Sequence, residues 1–412
     1  MIKLIHTADI HLDSPLKSLA LKDEALRERV QAATRTALRR IVDCALSEQV
    51  AAVLIAGDLF DGAERSARTA AYLTSELDRL RAADIRVYYI KGNHDAENPI
   101  TGETALPDNV HVFTGHGGKD ELADGLWIHG VSFSNRHAPD SLLPKFSAPV
   151  AGAVNIGMLH TSLAGAAGHD VYAPCTLSDL TSSGFDYWAL GHVHKRNIHA
   201  TAPWVVMPGC PQGRDIGEAG PRSATLITID DGRIDTTEIH TSAVEFTALR
   251  VDVSGCPNSD ALRDHLRHAV QDHAADLTSD TGIARITLQG QTELHWDILR
   301  DRDLWTETLS QLCRSTDRLW LEKTKFDLQP PSQQAEAQAT ATAELATLMQ
   351  QIAAEPAMVA AFQSDMQSLL DDLSAARREA LMPDDASTQQ LVQDLARDGA
   401  DRVLARMKGA DI

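Results

Sequence analysis

Short apolar runs followed by Asp, Asn or His recur along the first half of the chain. Ile2–Thr7, Val50–Ala56 and Ile85–Ile90 are rich in β-branched or aromatic residues, and apolar positions with helical spacing over about 23–49 and 64–83 separate them. A short continuous apolar run is typical of a strand buried on both faces, whereas a 3.6-residue period is typical of a helix. The pattern predicts a βαβαβ order and a largely parallel sheet covered by helices.

Beyond about residue 104 the pattern becomes strand-rich. It predicts strands at Val110–Phe113, Leu126–Ser132, Val154–His160 and Asp186–Gly191, a strand and turn from Val205 to Gly209, and a closing hairpin of Ser223–Ile229 and Arg233–His240. Asp230-Asp231-Gly232 supplies the turn of that hairpin. We therefore predict one α/β domain over residues 1–242.

A second unit begins near residue 245. Strands at 246–253, 283–288 and 318–324 alternate with helices at 260–277 and 294–312. This pattern predicts a small α+β module over residues 243–330 that has no catalytic cluster of its own.

The last part of the chain has a different composition. Residues 331–412 are rich in Ala, Gln and Leu, carry an excess of acidic residues, and contain apolar stripes such as Met358-Phe362-Met366-Leu370. Such stripes bury either each other or a partner helix. We predict a helical C-terminal region that could dock a partner.

Composition narrows the class of protein. The chain has 412 residues, is 43% hydrophobic and has a net charge of −20. The charge argues against a whole-chain basic surface for nucleic acid, so any DNA contact would use local patches, a bound cation or a partner. Five scattered cysteines without a Cys-x-x-Cys pair favour a reducing cytoplasm. We expect no signal peptide before Asp9 and no membrane span, which would need about 18 consecutive apolar residues.

The candidate chemistry lies at the ends of the predicted strands. Five blocks end or follow a strand: Asp9-Ile10-His11, Gly57-Asp58, Gly92-Asn93-His94-Asp95, His160 and Gly191-His192-Val193-His194. The carboxyl ends of parallel strands meet at one edge of a sheet. An isolated Asp-x-His would more often be a capped turn, but together the blocks predict one polynuclear metal site. His6 lies inside a strand, and we interpret it as a core histidine.

Taken as a set, these blocks resemble the calcineurin-like metallophosphoesterases. Thr7-Ala8-Asp9-Ile10-His11-Leu12-Asp13 and Gly57-Asp58-Leu59-Phe60-Asp61 are similar to the DNA-repair exonuclease branch of SbcD type, and Tyr187–His194 with Pro208-Gly209 and Gln212-Gly213-Arg214 is similar to YhaO-type members. The resemblance implies a layered β-sandwich flanked by helices over residues 1–242, a small α+β capping domain and a helical appendage.

The resemblance also implies two divalent metal ions bridged by Asp58. One ion would take Asp9, His11, Asp58 and His194, and the other Asp58, Asn93, His160 and His192. Carboxylate, amide and imidazole ligands without a thiolate suit Mn²⁺, Fe or Zn²⁺, and the similarity to nucleases favours Mn²⁺.

His94 is left without a metal, and the family pattern makes it the residue that protonates the leaving oxygen or holds the phosphate. For Asp95 we expect a role in orienting the loop. Asp13 and Asp61 would either support ligand histidines or cap the following helices. Three cations could contact phosphate or simply be solvated: Lys195, Arg196 and Arg214. For the His169-Asp170 pair we favour the interpretation that it makes a loop polar over the interpretation that it contacts substrate.

The function that the resemblance implies is a Mn²⁺-dependent DNA phosphodiesterase in DNA repair. It would be an exonuclease that could also cut internally. Hydroxide held by the two metals would attack the phosphodiester. The C-terminal helices would bind a coiled-coil ATPase partner. One alternative is a phosphodiesterase for a small nucleotide or another phosphodiester. Another is a scaffold with vestigial catalysis, for which we would expect a lost ligand. Dimerisation stays open, because core packing explains the apolar residues around 64–83 equally well.

Overall fold

The computed structural model describes residues 1–14, 24–61, 66–96, 106–163, 172–331, 348–349, 351–352, 355–371 and 385–408. His169-Asp170 lies outside the described residues. The strands are β1 (Ile2–Thr7), β2 (Ala52–Ala56), β3 (Arg86–Ile90), β4 (Val110–Val112), β5 (Gly118–Ala123), β6 (Leu126–Gly130), β7 (Val154–His160), β8 (Tyr187–Gly191), β9 (Asn197–Thr201), β10 (Trp204–Met207), β11 (Ser223–Asp230), β12 (Arg233–His240), β13 (Val244–Asp252), β14 (Thr281–Gln291) and β15 (Leu319–Gln329). The α-helices are α1 (Glu24–Ser47), α2 (Ala67–Ala82), α3 (Leu177–Thr181), α4 (Ser259–Ala275), α5 (His295–Arg300), α6 (Arg302–Arg314), α7 (Pro356–Asp371) and α8 (Asp385–Lys408).

Two six-stranded sheets organise the first part of the chain. The first has the order β12-β11-β1-β2-β3-β4, and the second has the order β5-β6-β7-β8-β10-β9. Strands β1 to β4 are parallel, as the alternating strand and helix pattern predicts, while the hairpin of β11 and β12 adds an antiparallel edge. Asp231 and Gly232 turn this hairpin with φ of 49° and 78°.

The strands are apolar on both faces because each face meets a different layer. On the first sheet, Leu4 and Leu54 pack against residues of the second sheet such as Ile156. Their neighbours Ile5 and Val53 point the other way and pack against α1 and α2. The mixed α/β fold class is therefore confirmed, with two sheets and flanking helices in layers.

Some elements differ from the prediction. Strand β5 was not predicted, because its Gly-Lys-Asp-Glu-Leu-Ala sequence is polar and it pairs at the edge of a sheet. The helix predicted at 294–312 is two helices, because Asp301 leaves the helical region with φ −104° and ψ 33°. The apolar residues of α2 lie in the core beside the first sheet, and Leu73, Leu77 and Leu80 are buried there.

Contacts divide the chain into two compact units. One comprises residues 1–248, 276–285 and 318–322, and the other comprises 249–275, 286–317 and the chain from 323 onward. The boundaries at 242 and 330 stay predictions. Within the second unit, α8 packs against α5 and α7, and Arg302 pairs with Asp398.

None of the described helices is long and apolar enough to cross a membrane.

Candidate metal centre

All five polar blocks lie at the carboxyl ends of strands in the two sheets. Strands β1, β2 and β3 place their blocks on the first sheet, and β7 and β8 place theirs on the second. The loops after β1 and β2 are tied together because Asp9 N–H donates to the carbonyl of Gly57 (3.0 Å) and His11 N–H donates to that of Asp58 (3.1 Å). This arrangement brings residues that are far apart in the sequence to one buried edge.

Glycines allow the strand ends to approach this closely. A Cβ atom at Gly57 would lie 2.3 Å from Nδ1 of His160, and one at Gly92 would lie 2.3 Å from Oδ1 of Asp58. Contacts this short are not compatible with a side chain at either position. The glycines that precede Asp58 and Asn93 are therefore part of how the site is built.

Asp58 lies between histidines of the two sheets. Its Oδ2 is 3.4 Å from Nε2 of His160 and 3.9 Å from Nε2 of His11, while Oδ1 accepts the N–H of His94 at 2.9 Å. Burial opposes ionisation of this carboxyl, but the charge of His160 outweighs it and lowers the pKa of Asp58 well below its usual range. The carboxylate is thus held ionised between histidines of the two sheets.

Asp9, His11 and His194 form one side of the site. Nε2 of His11 is 3.2 Å from Nε2 of His194, and the latter is 3.9 Å from Oδ1 of Asp9. The Asp9 carboxylate also accepts the N–H of His192 at 3.0 and 3.1 Å. Burial raises the pKa of Asp9 and lowers that of His11.

Asn93, His160 and His192 form the other side. The amide oxygen of Asn93 is 3.0 Å from Nε2 of His160 and 3.3 Å from Nδ1 of His192. Nδ1 of His160 donates to the carbonyl of Ala56 at 2.9 Å, which turns Nε2 toward Asp58. The ring is fully buried and so is its partner carboxylate.

The donor atoms fit a pair of divalent cations. Ligand atoms of Asp9, His11 and His194 lie within 4.8 Å of one another, as do those of Asp9, Asp58 and His160. Nε2 of His11 and Nε2 of His194 face each other at 3.2 Å and lie beside carboxylates. A cation can accept electron pairs from both nitrogens and from the carboxylates, whereas a proton can bond only one nitrogen to the other. Oxygen and imidazole donors without a thiolate suit Mn²⁺, Fe or Zn²⁺.

His94 lies beside this cluster with its side chain 30% exposed. Its Nδ1 is 3.4 Å from Oδ1 of Asp61, and the same carboxylate is 3.7 Å from Nδ1 of His11 and accepts the hydroxyl proton of Ser14 at 2.7 Å. Asp61 does not cap α2, because Ser66 does. It stands where it can orient His94 toward the open side of the site.

The other aspartates have separate places. Asp13 pairs with Arg35 at 2.5 Å and accepts from Thr69, so it supports the helices and not a ligand histidine. Asp95 is buried and accepts the N–H groups of Phe60 and Gly92, each at 3.0 Å, which orients the loop as expected.

A cavity of about 720 Å³ opens onto the cluster. The exposed Lys195 lines it. Arg136 lines it as well; the sequence places Arg136 in a Pro-rich surface loop beside the site, but without a strand-end pattern it did not single this residue out as a phosphate contact. Arg196 points elsewhere and donates to Thr225 at 2.6 Å. Arg214 donates to Glu218 at 3.2 Å and does not line the cavity.

His6 is a core histidine, as interpreted from its place inside β1. Its ring bonds to the hydroxyl of Tyr187 at 3.0 Å and to the carbonyl of Leu190 at 2.9 Å, and burial lowers its pKa to about 3.

Comparison with known proteins agrees with this geometry. The calcineurin-like phosphoesterase family model matches residues 2–196, and the model of the metallophosphoesterase YhaO middle domain matches residues 246–329. The chain is 36% identical over 267 residues to the uncharacterized metallophosphoesterase YhaO of Bacillus subtilis, covering 63% of this chain and 65% of that protein.

More distant relatives are named DNA double-strand break repair protein Mre11. The protein from Methanopyrus kandleri is 25% identical, with 51% of this chain and 49% of the relative covered. The one from Saccharolobus solfataricus is 24% identical, with 48% and 50% covered. The chain thus spans just under two thirds of the length of YhaO and about half of the length of these Mre11 proteins.

Among solved structures, a dimetal phosphatase from Danio rerio aligns over 58% of this chain and 99% of its own, with 13% identity and a TM-score of 0.36. The family models, the relatives and the arrangement of the sheets point the same way. The chain is a calcineurin-like metallophosphoesterase with a YhaO-type middle domain, homologous to YhaO and more distantly to Mre11.

Proposed function

We propose that the chain is a Mn²⁺-dependent DNA phosphodiesterase, an exonuclease that could also cut internally, and that it acts in DNA repair in the cytoplasm. The observation that carries the proposal is the position of Asp58, whose carboxylate lies between His160 and His11 and which lines a cavity of about 720 Å³. A carboxylate shared between two clusters of donors is what a two-cation site for phosphodiester hydrolysis requires. The five free cysteines agree with a reducing compartment.

The proposed ligand sets follow the two sides of the site. Asp9, His11 and His194 with Asp58 would hold one cation, and Asn93, His160 and His192 with Asp58 the other. When bound, two divalent cations lower the pKa of water and neutralise phosphoryl charge. The protein's own part is to keep Asp58 ionised and to fix the rings, which the short contacts of His160 and His194 support.

His94 is the proposed acid, or the residue that holds the phosphate. Its partly exposed ring lies beside the cluster, and Oδ1 of Asp61 is 3.4 Å from Nδ1, which leaves Nε2 to face substrate. A histidine can exchange a proton near neutral pH, so it can supply one to the leaving oxygen.

DNA is the proposed substrate because the more distant relatives are named as DNA double-strand break repair proteins. Lys195 and Arg136 line the cavity and are the proposed phosphate contacts. Arg196, which the sequence also suggested, donates to Thr225, and Arg214 contacts Glu218 and Nδ1 of His194 from outside the cavity lining, so we give neither a direct contact with the substrate.

A smaller phosphodiester is the second candidate. The net charge of −20 favours it, because a chain this acidic is repelled by a polyanion unless local cations compensate. The same metal centre would serve a cyclic nucleotide or a short oligonucleotide equally well.

One assay separates the two candidates. Purified full-length chain and the Asp9→Ala variant are incubated with Mn²⁺ and end-labelled linear duplex DNA, and in parallel with a chromogenic phosphodiester. DNA shortening that the variant lacks supports the nuclease, and the labelled products give its polarity. Asp9-dependent cleavage of the small ester alone supports the second candidate. Absence of both activities in a chain that binds Mn²⁺ contradicts the proposal.

For the partner we propose a coiled-coil ATPase subunit that docks on the C-terminal helices. Helices α7 and α8 form an apolar groove of about 680 Å³. Several large side chains remain exposed there, among them Phe362 (40%) and Leu395 (54%). An exposed apolar groove of this kind is typical of a helix-docking site.

Charge-introducing substitutions test the docking site. Phe362→Glu and Leu395→Glu should abolish co-purification of the ATPase and leave phosphodiester hydrolysis unchanged. Leu304→Glu is the matched control, because Leu304 is 57% exposed on α6 and does not line the groove. Co-purification that all three variants retain would contradict the docking site.

A further inference from the structure

Three of the four histidines in the proposed ligand sets, His11, His160 and His194, differ in what holds the second ring nitrogen. His160 uses the backbone carbonyl of Ala56, 2.9 Å from Nδ1. Nδ1 of His11 is buried, and its nearest described carboxylate, that of Asp61, is 3.7 Å away. Nδ1 of His194, in contrast, lies 2.6 Å from Oε1 of Glu218 and 3.1 Å from a guanidinium nitrogen of Arg214, so the carboxylate is the nearer partner. Among these contacts, His194 has the short hydrogen bond to a carboxylate.

Glu218 is itself fixed in place. Its side chain is 15% exposed, and Oε2 accepts the backbone N–H of Arg214 at 2.7 Å while the Arg214 guanidinium lies 3.2 Å from Oε1. Glu218 ends a short 3-10 helix (Ile216–Glu218) whose first turn is capped by Asp215. The carboxylate therefore reaches His194 from a constrained position.

Arg222 ties the backbone of both partners together. Its guanidinium donates to the carbonyl of Glu218 (3.0 Å), to that of Ala219 (3.1 Å) and to that of His194 (2.9 Å). Arg222 is itself only 9% exposed. These hydrogen bonds hold the main chain of His194 close to that of Glu218, so the ring and the carboxylate are already in position to form their contact.

We propose that Glu218 is a positioning residue that fixes His194 as a metal ligand and sets the affinity of one of the two cation positions, an inference that rests on the proposed function. A carboxylate at Nδ1 requires the proton to be on that nitrogen. Nε2 then keeps its electron pair and faces Nε2 of His11 and the carboxylate of Asp9. Carboxylate partners also raise the basicity of a ligand imidazole, and their loss costs about 10–100-fold in metal affinity.

The effect should be confined to one cation. His160 takes its orientation from a main-chain carbonyl, and no contact of Glu218 in the described part of the chain reaches Asn93, His160 or His192. Removal of Glu218 should weaken the position that His194 shares with Asp9 and His11, and should spare the other one.

The test is a titration of the metal-free, full-length chain with Mn²⁺, followed by calorimetry and by electron paramagnetic resonance. Wild type should bind two ions and give the signal of a coupled pair. Glu218→Ala should keep one ion at wild-type affinity, weaken the other about 10–100-fold, and show an isolated ion at one equivalent. Glu218→Gln, which keeps an acceptor oxygen at the same place but loses the charge, should give a smaller loss at the same position.

Glu76→Ala is the matched control, because Glu76 is a buried glutamate in the same unit that pairs with Arg79 at 2.6 Å, away from the site. It should bind both ions as wild type does. If Glu218→Ala does not fold, Glu218→Gln decides: a loss of about threefold or more at a single position supports the inference, and two wild-type affinities overturn it. Two wild-type affinities in Glu218→Ala overturn it as well. A wild-type chain that binds no cation refutes the proposed function itself, which is a different result.

Discussion

His160 and His194 belong to opposite sides of the metal centre, and different kinds of contact hold them. His160 ends a central strand, is fully buried, and is oriented by the carbonyl of Ala56 in the other sheet. His194 lies on the loop beyond β8 with its side chain 22% exposed, and the carboxylate of Glu218 orients it. One side of the centre is therefore built from the main chain and the other from side chains.

This difference separates what the fold guarantees from what individual residues add. A main-chain carbonyl stays in place as long as the two sheets pair, so the position of His160 follows from the fold. A carboxylate 24 positions along the sequence can be lost by one substitution without harm to the sheets. We therefore expect the His160 side to be rigid and the affinity of the His194 side to be adjustable.

The largest effect is expected at His94, which is in neither of the proposed ligand sets. His94→Gln removes the proposed acid and leaves every proposed ligand in place, so turnover should fall about 10²–10⁴-fold while two Mn²⁺ ions remain bound. Steady-state hydrolysis and metal analysis of the same sample measure both. Loss of a cation along with activity would make His94 a metal ligand, and the two proposed ligand sets would then be wrong.

Gly92→Ala should break the rigid side. The new Cβ atom would lie 2.3 Å from Oδ1 of Asp58 and would displace the carboxylate that both cations are proposed to share. Since a misplacement of about 1 Å can cost about 100-fold in rate, we expect at least that loss, with weaker binding of both ions. Gly255→Ala, where no heavy atom lies within 4 Å of the added Cβ, is the control and should behave as wild type. An active Gly92→Ala chain would show that the rigid side tolerates movement.

Cation binding on the His160 side should release a proton. Burial disfavours the charged ring, but the carboxylate of Asp58 outweighs it and raises the pKa of His160 to about 9. At neutral pH the metal-free ring therefore holds a proton that a ligand must lose. Affinity for Mn²⁺ should rise about tenfold per pH unit from about pH 7 to 8.5. Calorimetry in two buffers of different ionisation heat counts the proton, and a pH-independent affinity would contradict the assignment.

The smallest effect is on stability. A folded-state pKa of about 9 lies above the unfolded value of about 6.5. The His160–Asp58 ion pair therefore stabilises the metal-free chain fully below about pH 6.5, and this stabilisation is lost as the pH rises through 9. Thermal unfolding of the metal-free chain should show a falling midpoint over this range. A midpoint that rises instead would argue against the ion pair.

Much of the rigid side was predictable, because it follows from strand patterns. The apolar runs that end at Thr7, Ala56 and Ile90 predict where parallel strands stop, and the polar residues after them then share one edge. His160, at the end of β7, follows the same logic across the second sheet. The resemblance added which of these residues would bind a metal.

The adjustable side was less predictable, because its partners lie in loops. Glu218 and Arg222 sit in a stretch without apolar periodicity, and only the folded chain shows that they meet His194. Arg196 lies two positions after the His-x-His block in sequence, just before β9, yet it donates to Thr225 and does not line the cavity. In these loops, closeness in sequence to a proposed ligand did not predict which side chains contact the site.

The central claim is that Asp58 joins the two sides into one centre. The most direct measurement is the number of Mn²⁺ ions bound per chain by wild type and by Asp58→Ala, with folding checked by circular dichroism. We predict two ions for wild type and loss of both tightly bound ions in the variant, because the carboxylate lies between His160 and His11. A folded Asp58→Ala chain that still binds two ions tightly would contradict the shared-carboxylate account.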